Sequence, residues 1–161
     1  MVASATFGPR ATSALLALAA YVAIVLVPNL KYPANPPSVG NPETIGLRTG
    51  LFFIMLLVSV AALALVATVA RRLSAHYGTW NAALIAGAAF IVVIGMVQLA
   101  LPEINEVPEK FSAVVLWRFR VASLGIQAVL WTTIGLLFGA LTERSFADRL
   151  SERASLRAAS Q

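Results

Sequence analysis

The chain has 161 residues, of which 59% are hydrophobic and only 12% charged, and its mean hydropathy is +0.82. A soluble domain is about half apolar and roughly a quarter charged, and a fold of this size could not cover so much apolar surface with a wetted exterior. The composition therefore excludes a soluble globular domain, a disordered chain and a disulfide scaffold. It indicates a small integral membrane protein.

Four apolar stretches follow one another along the chain. They cover residues 11–30, 49–70, 82–101 and 121–141, and none of them contains Lys, Arg, Asp or Glu. Each has about the 20 residues that a helix needs to cross the hydrocarbon layer, and a helix satisfies its backbone hydrogen bonds internally, as lipid requires. We therefore expect an all-α polytopic membrane protein, with a four-helix transmembrane domain over residues 1–144 and a charged cytoplasmic tail over 145–161.

The segments between these stretches differ in composition. The Pro-rich loop (31–44) holds four prolines and Gly40, which disfavour a regular helix. The connection 71–81 is short and basic, and the acidic loop (102–112) has three Glu against one Lys. Lys and Arg number seven on the side of both termini and five on the other. The positive-inside rule then predicts cytoplasmic termini and places the Pro-rich and acidic loops on the outer face.

The acidic loop holds the first candidates for function. Glu103, Glu106 and Glu109 recur at intervals of three, with Asn105 among them. Carboxylate and amide oxygens suit hard or borderline cations, and negative groups concentrate cations at a pore entrance. The alternative is a solvated loop whose acids only face water.

Two arginines precede the last apolar stretch. Arg118 and Arg120 lie two positions apart on a predicted helix, so their side chains point about 200° apart and cannot share one partner. One could reach the lipid headgroups while the other turns inward to a carboxylate, or both could be interfacial anchors. In the last stretch, the GxxxG element from Gly135 to Gly139 permits close helix packing, within the chain or between protomers.

Several classes of function have no support. The chain has no Cys and only one His, His76, so thiolate chemistry and a His-cluster centre within one chain are excluded. It carries no nucleotide-binding or hydrolase motif, and we do not expect an enzyme. The basic residues lie at the ends of apolar stretches and form no continuous patch, which argues against a nucleic-acid partner.

Six short motifs occur in a characteristic order in the loops and helix ends. They are LKYPANPP at 30–37, GNPETIG at 40–46, WNAA at 80–83, LPEINEVP at 101–108, LWRFRVASLG at 116–125 and GLLFGALTER at 135–144. Through these motifs the chain resembles the CbtA family of probable cobalt transporter subunits, in the branch common in actinobacteria. The resemblance extends from about residue 7 to residue 144.

The resemblance implies a subunit of a cobalt permease in the cell inner membrane, serving cobalamin biosynthesis. It also implies a very short, His-containing, single-span partner of the CbtB type, which would supply the His ligands missing here. Family members are usually longer and begin with further hydrophobic sequence, so this chain would correspond to the later part of such a protein, with the N-terminal spans missing.

Cobalt would be the transported substrate, and we expect no tightly bound cofactor. Together with the acidic loop, the further candidate oxygen ligands are Asn35, Asn41 and Glu43. The arginines expected to pair with acids at an outer gate are Arg118, Arg120 and Arg48. The alternative function is a structural or assembly subunit of a larger membrane complex without transport activity. The small-residue faces could then also support a homo-oligomer within the lipid bilayer.

Overall fold

The structure, a computed structural model, describes residues 7–37 and 39–159, without the side chains of residues 150–154 and 157–159. These residues form helices and no strand. Three helical elements are long and apolar enough to cross a membrane. They are α1 (Pro9–Lys31), the element Ile45–Ala100, and the part Ala113–Arg149 of a helix that extends to Ala159 and is here called α4.

The element Ile45–Ala100 consists of two helices joined at Gly78. A straight helix of its 56 residues would be about 84 Å long, far more than the hydrocarbon layer of about 30 Å. Gly78 has φ 76° and ψ 160°, a conformation that is essentially restricted to glycine. Residues 45–77 form α2 and residues 79–100 form α3.

The buried cluster places α3 beside α2. Met55 and Ala62 of α2 share this cluster with Ile94 of α3 and Val27 of α1. The short, basic connection 71–81 is helical on both sides of Gly78 and is not a loop. The end of an apolar stretch marks where lipid contact ends, and good helix formers such as Arg, Leu and Ala continue the helix beyond it.

The other helices also extend past the apolar stretches. α2 begins at Ile45 rather than at 49, and α4 begins at Ala113 rather than at 121. α4 continues to Ala159, so the backbone of the charged tail is helical as far as that residue.

The second half of α1 is irregular near Pro28. The helix is of the π type over Tyr21–Leu26 and returns to α geometry over Val27–Lys31. Pro28 has no N–H, and its ring would collide with the carbonyl four residues earlier in a regular helix, which accounts for the wider turns. The Nδ2 of Asn29 donates to the carbonyl of Val25 at 2.8 Å, and the Nε2 of Gln98 donates to that of Val27 at 3.2 Å. Side chains thus satisfy backbone groups where the helix departs from α geometry.

The chain divides into two compact units. The central unit is Ala20–Gln127, and the terminal unit consists of the segments on either side of it. In the terminal unit the GxxxG element faces the beginning of α1. A Cβ added to Gly135 would lie 2.6 Å from the Cβ of Ala17, and one added to Gly139 would lie 3.0 Å from the Cα of Arg10. The glycines therefore serve close packing within the chain.

Candidate functional site

The Pro-rich and acidic loops meet at Glu106, within the central unit. The Glu106 side chain is only 1% exposed, and its Oε2 lies 3.7 Å from the Nε of Arg48. The hydroxyl of Thr44 donates to Oε1 of Glu106 at 2.9 Å, and the Arg48 guanidinium also donates to the carbonyl of Pro33. Arg48 lies in the first turn of α2, so a single guanidinium links this helix to both loops.

Arg120 reaches the Pro-rich loop from α4. Its Nε donates to the carbonyl of Ala34 at 3.3 Å, and its Nη2 donates to Oδ1 of Asn35 at 3.0 Å. Arg118 is exposed, so the two arginines have different surroundings, in keeping with their spacing on a helix. The partners of Arg120 are neutral oxygens rather than a carboxylate. The loop forms no regular helix, which leaves its carbonyls available as acceptors.

The two guanidinium groups bind neighbouring carbonyls, and Arg48 is the one that is paired with an acid. Arg48 binds the carbonyl of Pro33 and Arg120 that of Ala34, and the positive charge of Arg48 acts on Arg120. Since Glu106 is the carboxylate bound to Arg48, the arrangement carries an excess of positive charge. We call Arg48, Glu106, Arg120 and the loop atoms that they bind the loop contact.

Tyr32 provides a second connection between the loops. The side chain is almost completely buried, and its hydroxyl donates to the carbonyl of Pro102 at 2.8 Å. Burial raises the pKa of Tyr32 above its ordinary value, because it disfavours the phenolate. The sequence analysis did not select this residue, although an aromatic side chain between Lys31 and Pro33, at the end of an apolar stretch, was a signal for it.

The candidate metal ligands do not share one position. Glu106 binds Arg48 and Asn35 binds Arg120, whereas the other five are exposed. The exposed five are Asn41, Glu43, Glu103, Asn105 and Glu109. Among the described residues, no three His, Cys, Asp or Glu side chains are grouped so that they could hold one metal ion. A metal site made by these residues therefore stays a prediction.

Two of the exposed candidates stabilise their own loops. Oδ1 of Asn105 accepts a hydrogen bond from the backbone N–H of Val107 at 3.1 Å, and Oδ1 of Asn41 accepts one from that of Glu43 at 3.0 Å. Such bonds, two residues forward, are typical of turns that begin with Asn. Glu103 is 93% exposed, and its Oε1 lies 3.8 Å from Nζ of Lys31. The Lys31 side chain is only 11% exposed, but solvent around the Glu103 carboxylate screens the pair, which is therefore weak.

The long apolar helices and the polar loops between them define a helical membrane protein. A family model described as CbtA, probable cobalt transporter subunit, matches residues 1–143. The chain therefore belongs to the CbtA family, and the resemblance found in its motifs is confirmed. No curated protein and no solved structure matches the chain.

Proposed function

We propose that this chain is a multi-pass subunit of a cobalt permease in the plasma membrane, and that it performs no covalent chemistry. Membership of a family of probable cobalt transporter subunits supports this proposal. Each of α1, α2, α3 and α4 would cross the membrane once. An even number of spans places both termini on one side, and the distribution of Lys and Arg makes that side cytoplasmic.

The observation that carries the mechanism is the burial of Glu106 between two loops. In the proposed permease, the exposed Glu103 and Glu109 attract a hydrated divalent cation to the outer face. Glu106 holds the entrance closed while Arg48 neutralises it. The cation enters when the carboxylate of Glu106 separates from Arg48 and binds the cation instead. Arg120 holds the Pro-rich loop in place through neutral oxygens, so that its own bonds need not break.

The partner would supply the nitrogen ligands. This chain has a single His, His76, and it is exposed near the end of α2. Cobalt is a borderline ion that imidazole binds well, so we propose a short, His-containing, single-span partner of the CbtB type. Its His residues would receive the ion behind the loop contact.

Uptake of cobalt-57 into cells that express the chain together with this partner tests the proposal. We expect uptake above the vector control, and its loss when Glu103, Glu106 and Glu109 are all replaced by Gln. Glu143→Gln is the matched control, because Glu143 pairs with Arg10 in the terminal unit. Amounts of protein in the membrane are compared by immunoblot.

The two parts of the proposal fail in different ways. Absence of uptake by the unaltered chain with its partner would reject the permease function. It would favour a structural or assembly subunit, which is expected to co-purify with other membrane subunits without any dependence on metal. Normal uptake by the triple Gln variant would support the permease function but contradict the assignment of the three Glu residues to the site.

A further inference from the structure

A groove of about 300 Å³ runs along one face of α4 in the terminal unit. Its lining residues recur at helical spacings of three and four, so they form one continuous stripe. In chain order they are Phe138, Leu141, Thr142, Ser145, Phe146 and Arg149. Phe138 and Leu141 come first, the hydroxyl groups of Thr142 and Ser145 follow, and Phe146 and Arg149 end the stripe.

We propose that this groove binds one anionic phospholipid. The guanidinium of Arg149 and the hydroxyls of Thr142 and Ser145 bind the phosphate group, and an acyl chain lies along Phe138 and Leu141. Arginine binds phosphate through two parallel N–H groups, which gives strong charge-assisted hydrogen bonds. Groups that bind phosphate and apolar side chains thus line the same groove.

The depth of these residues in a bilayer agrees with this assignment. Leu141 is the last residue of the apolar stretch, and the first charges follow at Glu143 and Arg144. With a rise of 1.5 Å per residue, Ser145 lies about 6 Å beyond Leu141. The polar layer on each side of the hydrocarbon is about 5–7 Å thick, so Ser145 lies at the level of the phosphates.

Arg149 reaches the same level from further along the helix. Its Cα lies about 12 Å beyond Leu141, but side chains on a helix point towards its N-terminus. A long arginine side chain also extends along apolar surface while its charged end stays in a polar layer. Arg149 and Ser145 line the same groove, so both can reach one phosphate group.

The exposure of the aromatic residues favours a lipid over free phosphate. Phe138 is 60% exposed and Phe146 is 54% exposed. Inorganic phosphate could satisfy Arg149, but it would leave the ring of Phe138 uncovered. A phospholipid covers Phe138 with its acyl chain and satisfies the guanidinium with its headgroup.

Binding of phosphatidylglycerol to the purified full chain in detergent, measured by native mass spectrometry, tests the inference. We expect phosphatidylglycerol to bind in preference to phosphatidylcholine of the same chain length. Arg149→Gln should weaken phosphatidylglycerol binding by about tenfold or more, as expected for the loss of charge-assisted hydrogen bonds to the phosphate. Arg144→Gln is the matched control, because Arg144 is the preceding arginine of the same helix and does not line the groove.

Three outcomes would overturn the inference. Equal binding of the two lipids would show that the headgroup charge is not recognised, and equal losses in both arginine variants would indicate diffuse attraction to positive charge. Displacement of the lipid by millimolar inorganic phosphate would indicate a free-phosphate site. Phe138→Ala should weaken lipid binding, and size-exclusion profiles of all variants show whether they fold.

Discussion

Oε2 of Glu106 lies 3.7 Å from Nε of Arg48, and this pair joins the acidic loop to the first turn of α2. The acid is almost completely buried, whereas the Arg48 side chain is 18% exposed. This interaction therefore holds together two segments that are far apart in the chain. Removing either partner would leave the charge of the other one without its counter-charge. Both the stability of the loops and the proposed opening step depend on this interaction.

Glu106→Gln should reduce the free energy of unfolding by about 3 kcal/mol, the lower end of the range for removing one partner of a buried pair. The loss arises because Arg48 keeps its charge without the carboxylate. The measurement is denaturation of the purified chain in detergent. Glu103→Gln is the control, since the Glu103 side chain is 93% exposed and the loss of its solvent-screened pair with Lys31 should change stability little.

The double variant Arg48→Met/Glu106→Leu should recover part of that loss, because it leaves no buried charge behind, although the bonds to Pro33 and from Thr44 are lost. A double variant that is less stable than Glu106→Gln would contradict the assignment of the pair as a buried one.

Stability should fall at high pH because of Tyr32. Burial raises the pKa of its phenol in the folded protein above the unfolded value. Its contribution is therefore fully present below the unfolded pKa of about 10 and is lost as the pH rises through the folded value. Melting temperatures between pH 8 and pH 11 check this. Tyr32→Phe should flatten the upper part of the curve, and the exposed Tyr77→Phe should not.

Gly135→Ala should destabilise the terminal unit. The added Cβ would lie 2.6 Å from the Cβ of Ala17, closer than atoms can pack without a shift. We expect a loss of about 1–3 kcal/mol in the free energy of unfolding, as in other overpacked sites. Gly125→Ala in the same helix is the control, because its Cβ would meet nothing within 4 Å. The second change Ala17→Gly should rescue Gly135→Ala, and failure of this rescue would argue against the contact.

Gly78→Ala should cost about 1–3 kcal/mol, because φ 76° with ψ 160° is a region that L-residues with a side chain rarely adopt. Gly87→Ala in α3 has open space around its Cβ and should be neutral or stabilising, since Ala is the better helix former. Thermal unfolding of both variants provides the comparison. Equal stability of the two would mean that Gly78 does not hold this conformation.

Two buried serines should respond in opposite directions to Ala. Oγ of Ser13 donates to the carbonyl of Gly135 at 2.7 Å, so Ser13→Ala should lose about 1 kcal/mol of stability. The hydroxyl of Ser59 is fully buried and has no hydrogen-bond partner. Ser59→Ala should therefore raise the melting temperature, because it removes a desolvated polar group. A lower melting temperature would mean that the Ser59 hydroxyl has a partner.

Much of the fold was predictable because lipid imposes strict requirements on sequence. A long apolar run that crosses lipid must be helical. The prolines at 33, 36, 37 and 42 interrupt a helix whatever the tertiary structure around them. The helix ends were less predictable. Hydropathy marks the part of a helix that contacts lipid, and α4 continues from Ala113 to Ala159 because charged residues also form helices in water.

The candidate site was predictable only in part. The sequence identified Glu106, Arg48 and Arg120 as polar groups next to apolar helices, but three acids at equal spacing gave no sign that only Glu106 is buried. Partner choice depends on which loop atoms a side chain can reach. Tyr32 could not be identified from the sequence for the same reason. Its hydroxyl binds the carbonyl of Pro102, which is remote in the chain.

The sequence by itself determined that this is a helical membrane protein of the CbtA family, because hydrophobic composition and ordered motifs are properties of the chain alone. The tertiary structure decided which charges meet. It placed Arg48 on Glu106, Arg120 on Ala34 and Asn35, and the glycines of α4 against the beginning of α1. Such pairings arise from distances between segments that are remote in sequence, and only the folded chain sets those distances.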